Sequence, residues 1–208
     1  MHIQLMGPRE GDFGNGSSTG VIEGWGFNLP SEKLYNAYVA AGDEIRKNAT
    51  VISEADWNAS GGEATGLAYD YNGYIRLKYG TNPSESGEPS TTLNYGTNWR
   101  LLRYADVLLM AAEAAAMSGN EGTAHTYLNQ VRTRAGLANI SPTGTDLMDA
   151  IVNERFLELA FEGFRLIDLI RWGRAADNIV GFEAKHNLFP IPANELLRTP
   201  ALSQNTGW

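Results

Sequence analysis

The sequence predicts a mainly α fold, a helical scaffold joined to a large loop-rich region with a few short strands. Apolar residues recur at helical spacing through most of the chain beyond residue 99. Glycine is concentrated before that point, with 15 of 23 at or before Gly96, and periodic segments there are brief and separated by turn-forming tracts. With 208 residues, 43% hydrophobic and 19% charged, the chain can bury a sizeable core and is neither a disordered tail nor a cysteine-stapled miniature. The expected organisation is one structural unit, loop-rich and ligand-facing over 1–98 and a helical scaffold over 99–208.

Residues 1–10 show no basic start, apolar run or small-residue cleavage site, so no signal peptide is expected there. The tracts from Gly11 to Gly20 and from Asn82 to Ser90 read as loops. Ser31 supplies an N-cap and Glu32 a first-turn acid for a helix carrying Leu34, Ala37, Tyr38 and Ala41, and Gly42 stops it. Ile75, Leu77 and Tyr79 alternate with Tyr74, Arg76 and Lys78, as in a strand with one solvated face. A helix from Trp99 to about Ser118 has Leu102, Ala105, Leu109, Ala112 and Ala116 on one stripe and ends at Gly119. A second, over about 122–134, carries Ala124, Leu128 and Val131 and meets Gly136. The short link makes the pair an antiparallel hairpin. Tyr104, Ala111, Gly119, Ala124 and Leu128 follow a tetratricopeptide-like pattern with a lengthened turn, present in one copy, so the scaffold expects further helices. Thr145 and Asp146 cap a third helix with Met148, Ile151, Val152, Phe156 and Leu159 on its apolar face, and a helical run resumes from Phe164 to Gly173. Pro190-Ile191-Pro192 forces an extended segment.

The net charge of −8 disfavours nucleic acid and other anionic partners. Of the acidic excess, most falls in residues 1–99, which hold 6 basic and 12 acidic side chains. The absence of cysteine removes disulfides, thiolate metal sites and a cysteine nucleophile. The most apolar segment, 101–117, is interrupted by Arg103, Asp106 and Glu113 and falls short of the roughly 20 residues a spanning helix needs. His2, His125 and His186 lack metal-ligand spacing, and no nucleophile elbow, P-loop or dinucleotide fingerprint is present, so neither metal nor cofactor is expected. Gly24-Trp25-Gly26 is too short for a phosphate loop.

Three clusters remain. Glu154, Glu158 and Glu162 at i, i+4, i+8 are readable as catalytic carboxylates, but Arg155 and Arg165 lie within helical reach and favour helix-face ion pairs. Arg165, Asp168 and Arg171, three apart with Trp172 beside them, read as a structural clamp. Trp25, Phe27, Trp57, Tyr69, Tyr71 and Tyr74 are interleaved with Asn28, Asn58, Asp70 and Asn72. Sugar rings offer apolar faces and hydroxyl edges, so flat aromatics beside short polar side chains suit them; the alternative is that these rings seal loops onto helices.

The order of motifs resembles the SusD/RagB family, cell-surface glycan-binding lipoproteins of Bacteroidetes. The matching blocks are the string from Asn98 to Met110 (NWRLLRYADVLLM) with Ala112-Glu113-Ala114, and that from Leu128 to Leu137 (LNQVRTRAGL). Ile151, Glu154-Arg155, Glu158-Leu159, Glu162-Gly163, Arg165 and the string from Asp168 to Gly173 (DLIRWG) come next, then Phe189-Pro190-Ile191-Pro192, Glu195 and Gln204-Asn205. The string from Gly24 to Pro30 (GWGFNLP) and Asp43 with Arg46 extend the resemblance over about residues 21–208. Departures are Phe156 where arginine is common, Arg198-Thr199-Pro200 for Asn-Pro, and Thr206-Gly207-Trp208 for Pro-Gly-Tyr. The family's members are longer, with an export signal, a lipid-bearing cysteine and most tetratricopeptide helices in an N-terminal part, so the chain resembles their C-terminal portion.

This resemblance implies a non-catalytic protein at the external face of the outer membrane that captures oligosaccharide or another nutrient for a SusC-like TonB-dependent transporter. Membrane attachment would come only through a lipid anchor outside this chain. It also assigns Arg165, Asp168 and Arg171 to the scaffold. On aromatic and polar composition, Trp25 is the leading ligand-stacking residue, followed by Tyr69 and Tyr71. Rival readings are a structural adaptor that docks the transporter with no sugar site in this portion, and a glycosidase working through Glu154 or Glu158.

Overall fold

The computed structural model describes residues 25–62, 71–80, 98 and 100–208. Tyr69, His2 and the two loop tracts at 11–20 and 82–90 lie outside the described residues. The fold is mainly α and comprises two compact units divided in sequence between Glu162 and Gly163.

In the first unit, α1 (Glu32–Ala41) begins as its sequence requires, with the Ser31 hydroxyl accepting the Leu34 N–H at 3.3 Å. Gly42, at φ 64°, ends it in the left-handed conformation that glycine adopts without a Cβ penalty. Leu34 and Tyr38 are buried, and the Tyr38 hydroxyl donates to the Leu157 carbonyl at 2.7 Å. No periodicity in the sequence marks the next three elements: α2 (Glu44–Thr50), β1 (Val51–Ser53) and α3 (Glu54–Ala59). Each helix is short but capped, α2 by the Asp43 carboxylate on the Arg46 N–H and α3 by the Ser53 hydroxyl on the Asp56 N–H.

β1 pairs antiparallel with β2 (Tyr74–Arg76), setting Val51 opposite Arg76 and Ser53 opposite Tyr74. Ile75 and Trp57 form a small core here, joined by Leu29, Ile52, Tyr71 and Leu77. Gly62 lies so close to the indole that a Cβ would sit 2.2 Å from Trp57 Nε1, so the backbone can pass only without a side chain.

The expected solvated face of this strand is corrected by the structure. β2 stops at Arg76, whose side chain is 1% exposed, with its guanidinium 5.2 Å from the centroid of the Phe161 ring. A flat, weakly hydrated cation tolerates an aromatic lid. Burial nevertheless pushes the Arg76 pKa down to about 10.

The main core lies among α4 (Tyr104–Met117), α5 (Glu121–Arg134) and α6 (Gly144–Glu158). Leu108, Leu109 and Ala112 meet Ala124, Leu128 and Val131, with Leu147 and Ile151 closing the third side. α4 and α5 form the expected hairpin. Gly119 at φ 77° turns the chain, and the Asn120 side chain caps α5 by accepting the Thr123 N–H at 3.2 Å. α4 starts later than its periodicity suggested, because Arg103 takes an extended backbone at the N-cap. At α6 the expected capping by Thr145 and Asp146 is replaced. The helix opens at Gly144, whose N–H donates to Glu121 Oε1 of α5 at 2.7 Å.

Side chains of α5 also hold the loop that leads into α6. The Asn129 amide donates to the Ile140 carbonyl and accepts its N–H, each at 2.9 Å, and Arg132 Nε donates to the Ala138 carbonyl at 3.0 Å. His125 Nε2 lies 2.6 Å from the Pro142 carbonyl. This gives the LNQVRTRAGL string a physical role: its polar positions hold the turn while Leu128 and Val131 fill the core.

The second unit contains α7 (Arg165–Arg171), α8 (Ala175–Asn178), a 3-10 turn at Ala184–Asn187 and α9 (Ala193–Arg198). The extended stretch around Pro190-Ile191-Pro192 is present as expected. Gln204 brackets it as a strand would, its amide donating to the Ile191 carbonyl at 2.9 Å and accepting the Ile191 N–H at 2.8 Å. Asn205 adds a bond to the Phe189 carbonyl at 2.7 Å. No helix among the described residues is long and apolar enough to cross a membrane.

Candidate functional site

Glu154, Glu158 and Glu162 are buried at the end of α6 and just beyond it. Arg155, one of the helix-face arginines that spacing suggested, pairs with buried Asp106 of α4 at 2.7 Å, and the three glutamates collect cations from distant segments. Arg46 of α2 lies 2.7 Å from Glu154 and 3.1 Å from Glu158, while its Nε holds Asp43. Arg103 reaches Glu158 at 2.8 Å and Glu162 at 2.6 Å. Lys78 adds a contact to Glu162 at 2.6 Å, Arg132 one to Glu154 at 3.1 Å, and Arg134 pairs with Glu158. Helical periodicity placed the carboxylates on one stripe correctly; the partners come through tertiary contact, which single-helix spacing cannot show.

The electrostatics follow from this arrangement. Burial pushes the Glu158 carboxyl up, but the hydrogen bond from Arg103 and the charges of Arg134 and Arg103 outweigh it and leave it below the usual carboxylate range. Burial also lowers Lys78, with Glu162 opposing the shift only in part. Through these ion pairs the row fastens α2, α4, α5 and α6 and the β2 region to one another.

The aromatic candidates among the described residues differ in exposure. Trp25 is half exposed and packs edge-on to Phe27, with ring centroids 6.4 Å apart and planes at 72°. Gly26 at φ 73° and Asn28 at φ 55° flank Phe27, two left-handed residues that fold the backbone sharply enough for neighbouring rings to meet. Tyr71 is half-buried: its ring joins the Trp57 and Ile75 core, and its hydroxyl donates to Glu54 Oε2 at 2.7 Å. Burial and that acceptor push its pKa up. Of the other rings in the interleaved set, Trp57 is fully buried and Tyr74 stacks on Tyr35 at 4.6 Å. Composition could not separate these cases, because burial of an aromatic depends on which strand and helix lie beneath it.

In the second unit, Arg171 Nε donates to Asp168 Oδ1 at 2.9 Å and its guanidinium lies 4.4 Å from the Trp172 ring. Arg165 feels the Asp168 charge, although burial is the larger influence and lowers its pKa. A further aromatic grouping, not among the sequence-predicted candidates, brings Phe182, His186, Phe189 and Trp208 around one pocket. Its signal was present as four rings within 27 positions of a glycine- and proline-punctuated tail, but they have no common period.

The SusD family model matches residues 46–187. SusD-like protein P2 of Formosa agariphila is 29% identical over 88% of this chain and 40% of its own length. Among solved structures, a laminarin binding SusD-like protein is 33% identical with a TM-score of 0.80, covering 99% of this chain and 44% of that one. Surface glycan-binding protein A from Bacteroides thetaiotaomicron is 30% identical with a TM-score of 0.76, covering 98% and 46%. The chain spans less than half the length of each of these relatives. The family match over most of the chain and the shared fold agree with the ordered motif blocks, and the chain belongs to the SusD family.

Proposed function

We propose that this chain is part of a non-catalytic glycan-binding protein of the cell surface, lipid-anchored through a segment outside it, which delivers oligosaccharide to a SusC-like TonB-dependent transporter. The observation that carries the binding reading is the exposed Trp25 and Phe27 pair within a fold whose solved relatives are named for glycan binding. An indole with one open face accepts the apolar face of a pyranose, and the adjoining Phe27 limits how the sugar can slide. Tyr69 and Tyr71 are secondary stacking residues in this proposal. Tyr71 contributes through its ring edge, since its hydroxyl is committed to Glu54. Arg165, Asp168 and Arg171 serve the scaffold.

The non-catalytic reading is supported by the state of the carboxylate row. Each glutamate is ion-paired and buried, and Glu158 is held below the usual carboxylate range, where a general acid needs a carboxyl held protonated. Affinity electrophoresis through gels that each contain a single polysaccharide tests the binding role. Retardation is expected for at least one, and Trp25→Ala should weaken it by about 1 to 3 kcal/mol if sugar stacking resembles base stacking. Unchanged retardation in that variant removes Trp25 from the site. Co-purification with the transporter in the absence of any glycan binding would favour the adaptor reading, and turnover abolished by Glu158→Gln would favour the hydrolase.

A further inference from the structure

The second unit contains a pocket of about 300 Å³ built only from its own residues, among them Leu166, Phe182, His186, Leu188, Phe189 and Trp208. The volume is at the lower end for small-molecule sites and matches a single ring-sized ligand. Its walls are fixed. The Trp208 indole N–H donates to the carbonyls of Lys185 and Leu188, each at 3.1 Å, which orients the ring. His186 stands between two aromatics, 5.6 Å from Phe182 at 58° and 5.4 Å from Trp208 at 68°. Successive planes therefore turn around the space instead of stacking closed.

His186 is the polar group of this lining, and its protonation pattern follows from its neighbour. The Glu183 N–H donates to His186 Nδ1 at 2.8 Å. An imidazole that accepts at Nδ1 carries its proton on Nε2 when neutral, so the ring offers one N–H donor on its other edge. Phe189 is 68% exposed and Trp208 46%, leaving the aromatic surface open to a ligand.

These features discriminate among ligand classes. A cation is disfavoured, since the Lys185 ammonium already lies 5.6 Å from the Trp208 centroid. An anion would meet mostly hydrocarbon. A wholly apolar guest would cover the Nε2 donor without supplying an acceptor, a loss that purely hydrophobic contact does not repair. What fits is a neutral ring with an apolar face and oxygen atoms at its edge.

We propose that this pocket is a second sugar-binding site, taking one pyranose of a neutral glycan against Trp208 and Phe189 with a sugar oxygen accepting from His186 Nε2–H. It shares no residue with the Trp25 and Phe27 pair, so either site can fail while the other stands.

The test is a titration of the uniformly ¹⁵N-labelled 208-residue chain, following the Trp208 indole N–H by NMR. Laminaritriose, cellotriose and maltotriose are the sugar probes; cyclohexanol and tetramethylammonium are the apolar and cationic controls. A saturable shift with at least one trisaccharide is expected, unchanged in Trp25→Ala and weakened about tenfold by Phe189→Ala. Phe189→Ala alters an exposed side chain and leaves the Trp208 hydrogen bonds in place, so loss of binding there is not loss of fold. A His186→Phe variant keeps an aromatic wall without the donor and should weaken sugar binding several-fold while sparing cyclohexanol. The proposal is overturned if no trisaccharide moves the signal, if only a control does, or if the shift disappears in Trp25→Ala.

Discussion

Arg103 shows how one residue can hold several parts of the fold. It stops short of joining α4 as a helical residue, and its guanidinium engages both Glu158 and Glu162, whose side chains are 2% exposed. Replacing it by methionine would fill similar volume but leave two carboxylates buried beside too few cations. An expected loss of about 3 to 5 kcal/mol follows, measurable as a lower urea midpoint at pH 7 with unchanged slope. Glu158 makes the acid dependence explicit. Its folded pKa lies below that of a free glutamate, so the stability it supplies is complete above roughly pH 4.3 and is lost as pH falls through the lower folded value. Glu158→Gln should therefore be less stable at pH 7 and show a shallower decline in urea midpoint between pH 5 and 2; an unchanged decline would place the acid sensitivity elsewhere. The sequence exposed the row of carboxylates but not these partners. Arg46 and Arg103 are 112 and 55 residues from Glu158, and no periodicity connects them to it.

Among the elements, α1, α4, α5 and α6 were legible because each combines an apolar stripe with a glycine or polar residue at an end. α2, β1 and α3 were not. They are 7, 3 and 6 residues long, too short to display a period, and their definition comes from caps at Asp43 and Ser53 and from pairing with β2. The strand expectation erred for a related reason. Alternation at Tyr74 to Tyr79 assigned Arg76 to solvent, whereas Phe161, 85 positions later, covers it. The Gln204 bracket belongs to the same scale, a side-chain amide standing in for a neighbouring strand. Gln204→Ala removes two hydrogen bonds from Ile191, at about 1 kcal/mol each. Hydrogen exchange at the Ile191 amide should accelerate while that in α5 stays unchanged.

At the scale of the whole molecule, α4 is apolar on two sides. Leu109 and Ala112 face the core, yet Tyr104, Val107, Met110 and Met117 are exposed on the opposite side. A helix hydrophobic around most of its circumference is built to be buried, in keeping with a chain that spans less than half of its relatives' length. The isolated chain should bind a hydrophobic dye, and joint Met110→Lys and Met117→Lys substitution should abolish this without loss of helical circular dichroism. Absence of dye binding by the parent would show that the face is already covered. The family could be read from the spacing of motif blocks, since those blocks coincide with the hairpin, the glutamate row and the Gln204 bracket. The burial of each aromatic could not, because an aromatic residue has the same letter whether it lies at the surface or in a core.

The glutamate row also bears on the order of events when the chain folds. Its links to Arg134, Arg103 and Arg46 close loops of 24, 55 and 112 residues, whereas α4 and α5 meet across a three-residue turn. Loop-closure entropy favours the hairpin as the early nucleus, with the ionic fastening made on the downhill side of the barrier. Conservative truncation at Leu128 should then slow refolding, while loss of the Arg46 contacts should leave refolding nearly unchanged and hasten unfolding. In this molecule the charges buried deepest act as a brake on opening.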